Sequence, residues 1–326
     1  MSDTPFEQFK GRGPIAAAAG RAPSADPLRD PAGYLASPAL ANAVNVALAL
    51  GMPLLVTGDP GTGKTQLAYR LAAELGFDEV LRFDTKSSSQ AVELFYQFDS
   101  IRQFAQSQLN AATGQPLPAA RDFLRLHALG LAIVRSLPAD EVARRLGPGD
   151  AVPPRRSLVL IDEIDKAPRD FPNDLLNQIE DQAFHIAELG EHFQAPQALK
   201  PVVVITSNSE KQLPEPFLRR CVYHHIEFPS DEAELQAILG ARLSRLRLEG
   251  RAFDDALAFF FKLRKDPRIA KKPSTSELLD WLRALHLARA DADLALADQP
   301  VVAQAALASL MKTREDQEHA LSLLAG

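Results

Sequence analysis

Gly58-Asp59-Pro60-Gly61-Thr62-Gly63-Lys64-Thr65 is the stretch whose reading decides the fold. It satisfies G-x-x-x-x-G-K-[ST], with the apolar run Pro53-Leu54-Leu55-Val56-Thr57 before it and a helical pattern from Lys64 to Leu75 after it. Such a loop brings backbone N–H groups close to phosphate oxygens, and side chains at the glycine positions would obstruct that approach. The N-terminus of the following helix adds partial positive charge. Lys64 is then placed to reach the β- and γ-phosphates and the Thr65 hydroxyl to ligate Mg²⁺. A Gly-Pro turn that matches by accident is the plain alternative, and the strand–loop–helix context weighs against it. The candidate nucleotide contacts are Gly58, Asp59, Pro60, Gly61, Thr62, Gly63, Lys64, Thr65 and Gln66.

Three further stretches complete the pattern. Leu158-Val159-Leu160-Ile161-Asp162-Glu163 is an apolar run ending in two acids. At the C-terminal end of a parallel strand they face the crevice where ligands bind in open α/β sheets. Asp162 is the expected metal-side carboxylate, acting on Mg²⁺ directly or through water, and Glu163 the expected base for the attacking water. Pro201 to Thr206 is another buried strand, leading to Asn208, whose amide can lie beside the γ-phosphate; alone it would read as a strand cap. Leu213-Pro214-Glu215-Pro216-Phe217-Leu218-Arg219-Arg220 places two arginines near the end of the sheet. Isolated surface arginines are usually just solvated, but in this company an arginine finger acting on a neighbouring subunit's ATP is the better reading.

The rest of the chain frames these motifs. Its 326 residues suggest about two domains at roughly 150 residues each. With 46% hydrophobic and 24% charged residues it is an ordinary globular composition. A net charge of -6 argues against a bulk basic surface for nucleic acid. The single cysteine, Cys221, excludes an intramolecular disulfide framework and a cysteine-cluster metal site, and it reads as a small buried filler. No segment reads as a membrane span or a secretory signal, so a cytoplasmic location is expected. Residues 1–33 are rich in Pro, Gly, Ala and Arg and read as a flexible N-terminal arm. Residues 34–229 alternate strands and helices, which implies a parallel sheet covered on both faces. Within them, Ser37-Pro38 opens a helix that Gly51 ends, residues 88–146 look mainly helical with a break at Thr113-Gly114-Gln115-Pro116, a helix runs from about Asn173 to Gln182, and Phe184 to Ala195 reads as a hairpin turning near Gly190. Residues 230–326 carry amphipathic helices only and read as a separate helical domain, with Phe259-Phe260-Phe261 and Trp281 as its core.

Taken together, the four motifs resemble those of an AAA+ ATPase, and within that superfamily the chain is similar to the MoxR family of the dynein-related group. The text that carries the likeness is PLLVTGDPGTGKTQLA, LVLIDEIDKAPRDFPNDLLNQIED and VVVITSNSEKQLPEPFLRRCVYHHIEFP, with KKPSTSELLDWLRAL similar to the lid helix of the CoxD-like branch, whose members accompany carbon monoxide dehydrogenase maturation. The resemblance implies an α/β P-loop NTPase domain followed by a small all-α lid, a hexameric ring with ATP and Mg²⁺ at subunit interfaces, and Lys64, Thr65, Asp162, Glu163 and Asn208 acting in cis with Arg220, aided by Arg219, in trans. It also implies an insertion after the second strand, for which residues 86–156 are long enough, a hairpin that Phe184 to Ala195 suits, a partner with a von Willebrand factor A domain and a client protein complex to be remodelled. The chain departs from the family at Lys272-Pro273-Ser274-Thr275-Ser276, where Ser276 stands in the position of the usual second-sensor arginine and Lys271 or Lys272 are the nearby cations.

Two other readings are open on the sequence. One is a nucleic-acid-directed NTPase motor of the restriction or clamp-loader type, which the acidic balance disfavours. The other is a nucleotide-sensing switch with little turnover, which the presence of Lys64, Asp162 and Glu163 disfavours. The seven histidines lack metal-ligand spacing; His224 and His225 alternate along a strand, and His185 and His192 meet across the hairpin as a solvated pair.

Overall fold

The computed structural model describes residues 31–147, 153–209, 213–229, 231–243 and 250–325. Nearly all of the expected N-terminal arm, residues 1–33, lies outside the described residues. The chain divides into two compact units. One comprises Ala36–Gly58 with Lys64–Ile226; the other takes the loop Asp59–Gly63, the described part of the segment up to Leu35, and that of Glu227–Gly326.

The larger unit is built on five parallel strands: β1 (Leu54–Gly58), β2 (Val80–Asp84), β5 (Leu158–Asp162), β8 (Val202–Ser207) and β9 (Val222–Ile226), in the order β2-β5-β8-β1-β9. The three central strands are buried along their whole length, which is why their sequences are continuous apolar runs and do not alternate. The register decides which side chains meet at the strand ends: Leu54 lies opposite Val204, Leu158 opposite Val202, and Asp84 opposite Asp162. Helix α1 (Pro38–Leu50) starts at Ser37, whose side chain accepts from Leu40 N at 3.2 Å, and stops at Gly51 with φ +64°. Helix α2 (Lys64–Leu75) leaves directly from the glycine-rich loop.

The insertion is less helical than its sequence suggests. It contains α3 (Ser100–Thr113), α4 (Ala128–Arg135) and α5 (Ala139–Leu146), but also a two-stranded antiparallel ribbon of β3 (Tyr96–Phe98) and β4 (Leu124–Leu126). Strands of three residues are too short to show a period of two, so only their pairing reveals them. Helix α4 is driven into the core through Leu129, Ala132 and Ile133. That approach needs Gly130, because a Cβ there would lie 2.0 Å from the Phe95 carbonyl oxygen. The helix expected from Asn173 to Gln182 is two short pieces, α6 (Phe171–Asp174) and α7 (Leu176–Asp181), split at Leu175. Strands β6 (Ala183–Ile186) and β7 (Glu191–Gln194) form the expected hairpin, with His185 opposite His192. Helix α8 (Glu215–Leu218) precedes β9. Cys221 is buried, and burial pushes its thiol up to about 12, as an inert filler requires.

In the second unit, α9 (Glu232–Leu243), α10 (Arg251–Lys265), α11 (Thr275–Leu287), α12 (Pro300–Leu310) and α13 (Arg314–Ala325) bury a core of their own around Trp281, Phe259 and Phe260. The Phe259 and Trp281 rings are 5.9 Å apart and tilted. Polar contacts tie α13 back to the segment after α10. Asp316 accepts from Ala270 N (2.9 Å) and Lys271 N (3.2 Å), and His319 Nε2 meets Asp266 Oδ2 at 2.8 Å. Among the described residues no helix is long and apolar enough to cross a membrane.

The Arg268 and His319 side chains beside Asp266 hold its carboxyl well below the usual carboxylate range. A carboxyl with a lowered folded-state value contributes stability in full above its unfolded value, about 3.9, and loses it as pH falls through the folded one. Asp266→Asn should therefore lower the urea midpoint at pH 7, and the gap from the unchanged chain should narrow below about pH 4 in urea titrations.

Candidate nucleotide site

Strand β1 ends at Gly58, and the chain must turn sharply to start α2 six residues later. Gly61 (φ +81°) and Gly63 (φ +91°) make that turn in the left-handed region. The Lys64 ammonium donates to Gly58 O at 2.7 Å, and the residue is only 7% exposed. In the same first turn of α2, Gln66 carries a buried Oε1 that has no hydrogen-bond partner among the described residues, an acceptor that a ligand's donor can satisfy.

Asp162, at the end of β5, is 4% exposed, and its carboxylate is fully engaged. Thr65 Oγ1 donates to it (2.9 Å to Oδ1, 3.2 Å to Oδ2), Thr206 Oγ1 donates to Oδ1 at 2.6 Å, and Arg82 Nη2 lies 2.9 Å from Oδ2. The Thr65 bond joins residues far apart in sequence and has the polarity a Mg²⁺ site requires: the hydroxyl gives its proton to the carboxylate and keeps its lone pairs for the cation. Hydroxyl and carboxylate oxygens are the donors a hard divalent ion prefers. The Lys64 ammonium and this oxygen pair therefore fit a Mg²⁺-nucleotide.

Glu163 departs from ordinary backbone geometry, with φ +57° and ψ +52°. A non-glycine residue held there costs on the order of 1–3 kcal/mol, and such strain clusters at functional sites. Its N–H donates to Thr206 Oγ1 at 2.9 Å, so one threonine braces both acids. The short turn Ile164–Lys166 then supplies two more contacts. Lys166 Nζ meets Glu163 Oε2 at 2.5 Å, a bond that raises the lysine above its ordinary value. Asp165 accepts from Asn208 twice, from its backbone N at 3.0 Å and its Nδ2 at 3.3 Å. A carboxylate only accepts, so this clamp orients the Asn208 amide with its oxygen away from Asp165.

The structure thus brings Lys64, Thr65, Asp162, Glu163 and Asn208 to the C-terminal end of the central strands. Arg219 and Arg220 are held elsewhere: Arg219 pairs with Glu215, and Arg220 Nε lies 2.7 Å from Glu180 Oε2 with Nη1 3.2 Å from Pro216 O. Sequence reasoning missed Arg82, Asp165, Lys166 and Thr206. Lys166 and Asp165 follow Glu163 within one turn, a spacing that could have pointed to them. Arg82 carried no local signal.

In the second unit the loop Asp59–Gly63 has its own partners. Ser276, in the place of the expected arginine, donates to Gly61 O through both its N (3.2 Å) and its Oγ (2.9 Å). Lys271 and Lys272 are exposed. Gly63 faces the ring of Tyr34, whose burial pushes its hydroxyl up to about 12. Arg264 lies over the Phe228 ring, donates to Pro273 O, and is lowered by burial with an opposing contribution from Asp59.

The profile of the AAA domain, dynein-related subfamily, matches residues 53–221, just over half of the chain. The chain belongs to that family, and its parallel sheet with flanking helices is the AAA+ P-loop fold. No curated protein sequence matches it. Among solved structures it is similar to Thermotoga maritima RuvB, in one structure described as a Holliday junction branch migration motor and in two of point variants. These share 18% identity, with alignments covering 82%, 82% and 83% of this chain and TM-scores of 0.42, 0.43 and 0.45. The chain spans 65% to 66% of the length of those proteins.

Gly61 offers a direct check on the loop's packing. A Cβ there would sit 2.3 Å from Ser274 Oγ, the N-cap of α11. Gly61→Ala combines left-handed strain with a displaced cap and should cost roughly 2 kcal/mol in urea denaturation. Ser274→Gly in the same chain should recover part of it.

Proposed function

We propose that this protein is a Mg²⁺-dependent ATPase of the MoxR type, working as a hexameric ring in the cytoplasm to remodel or mature a partner complex together with a von Willebrand factor A domain protein. The observation that carries the catalytic part is the Thr65–Asp162–Thr206–Glu163 chain of hydrogen bonds, which holds a metal-side carboxylate and a second acid at one strand end. Mg²⁺ held by Thr65 and Asp162 would supply charge neutralisation at the phosphates. Lys64 and the loop amides hold the phosphates, Thr65 and Asp162 present oxygens to the cation, and Glu163 accepts the proton of the attacking water. Lys166 occupies Glu163 Oε2, so base action runs through Oε1 or through release of that pair. Asn208, oriented by Asp165, offers its amide to the γ-phosphate side.

The MoxR assignment and its CoxD-like refinement rest on the motif text, supported by the insertion between β2 and β5 and by the β6–β7 hairpin before β8. The ring reading rests on Arg219 and Arg220, exposed and half-exposed arginines whose ion pairs among the described residues are to the surface glutamates Glu215 and Glu180, as groups that reach a neighbour's site would be.

Glu163→Gln should retain ATP binding and lose at least about 100-fold in turnover, measured as phosphate release beside fluorescent-nucleotide titration. Near-normal turnover would remove Glu163 from the base role. In a protein-concentration series, ATP turnover per subunit should rise with concentration for the unchanged chain and stay low for Arg220→Ala. Flat, Arg220-independent turnover would mean a site completed within one subunit.

A further inference from the structure

Asp162 has a partner that nucleotide hydrolysis does not itself explain. Arg82 stands on β2, two residues before Asp84, and Asp84 lies opposite Asp162 in the parallel ladder. Side chains at positions two apart share a face. Arg82 and Asp84 therefore both look toward the end of β5, where the guanidinium is tethered. Its Nε and Nη2 lie 2.7 and 2.6 Å from Asp84 Oδ1, the same Nη2 is 2.9 Å from Asp162 Oδ2, and the Tyr69 hydroxyl bonds it as well.

We propose that Arg82 is a positioning residue that sets divalent-cation affinity by sharing the Asp162 carboxylate with the metal. This rests on Asp162 being the metal-side acid. A buried carboxylate with no cation beside it is costly, and removing one partner of such a pair leaves that cost uncompensated. Arg82 supplies a permanent counter-charge, so Asp162 keeps one orientation as the metal comes and goes. Because Asp84 and Tyr69 also bond the guanidinium, it stays when the divalent ion arrives, and its positive charge opposes the ion. Asp84 offsets part of that repulsion. Arg82 thereby keeps metal binding reversible, which a site that must release its product with the metal requires, while the Thr65–Asp162 bond keeps its geometry.

The sign of the effect makes the proposal testable without turnover. Mn²⁺ binding to the full-length chain with saturating ADP is read from the EPR signal of free Mn²⁺. Arg82→Gln should bind Mn²⁺ about 3- to 10-fold more tightly than the unchanged chain, and Arg82→Lys should stay close to it. Asp84→Asn leaves the guanidinium charge less compensated and should weaken Mn²⁺ binding by a similar factor. ADP affinity measured in EDTA should change little in any of the three. Should Arg82→Gln fail to fold, Asp84→Asn and Arg82→Lys still decide the sign. Equal Mn²⁺ affinity in all variants, or weaker binding in a folded Arg82→Gln, overturns the proposal while leaving the nucleotide site standing. Failure of the unchanged chain to bind ADP would bring down the nucleotide reading first, and the proposal with it.

Discussion

One buried carboxylate organises the larger unit. Asp162 sits at the end of the inner strand β5 with almost no access to water, and an ionised group in that position is tolerable only if every oxygen is bonded. The bonds come from three directions: Thr65 at the start of α2, Thr206 near the end of β8, and Arg82 on β2. A single acid therefore pins the phosphate-loop helix and both strands that flank β5. Because hydrogen bonds to an ionised acceptor are directional and strong, they set positions that apolar packing of the sheet alone would leave loose. Glu163 inherits its placement from the same arrangement through the shared hydroxyl of Thr206.

The surrounding polar contacts have one theme. Each of the proposed site groups is held by a neighbour close in sequence or register: Glu163 by Lys166, Asn208 by Asp165, Asp162 by Arg82. The short turn after β5 supplies two of these three holders. Side chains locked in this way are preorganised, so less ordering remains to be done when a substrate arrives. The left-handed backbone at Glu163 belongs to the same arrangement, a local strain offset by the bonds on either side of it.

The helical unit shows a different solution at the expected arginine position. Ser274 and Ser276 begin α11, the first as its N-cap and the second as a double donor to Gly61 O. A short hydroxyl reaches a backbone carbonyl at the position where the resemblance implies an arginine. The contact also explains why Gly61 has no room for a side chain on the face it turns to Ser274.

Much of this was legible in the sequence. The apolar runs of β1, β5 and β8 read as buried parallel strands, the glycine pattern as a tight phosphate-type loop, and Ser37 and Gly51 as the ends of α1, because each of these depends on local periodicity or on backbone conformations open to few residues. The three-residue strands β3 and β4 were not legible, since a period of two needs more residues than they contain. Nor was the split of the helix at Leu175. Most of all, Arg82 reads in sequence as an ordinary charged residue on an edge strand. Its place beside Asp162 exists only because β2 and β5 pair in parallel with Asp84 opposite Asp162, and pairing between strands far apart in sequence is a property of the folded sheet. The sequence by itself determined which residues could do the chemistry; the tertiary structure decided which neighbours hold them, because those bonds cross distances in the chain that no local pattern encodes.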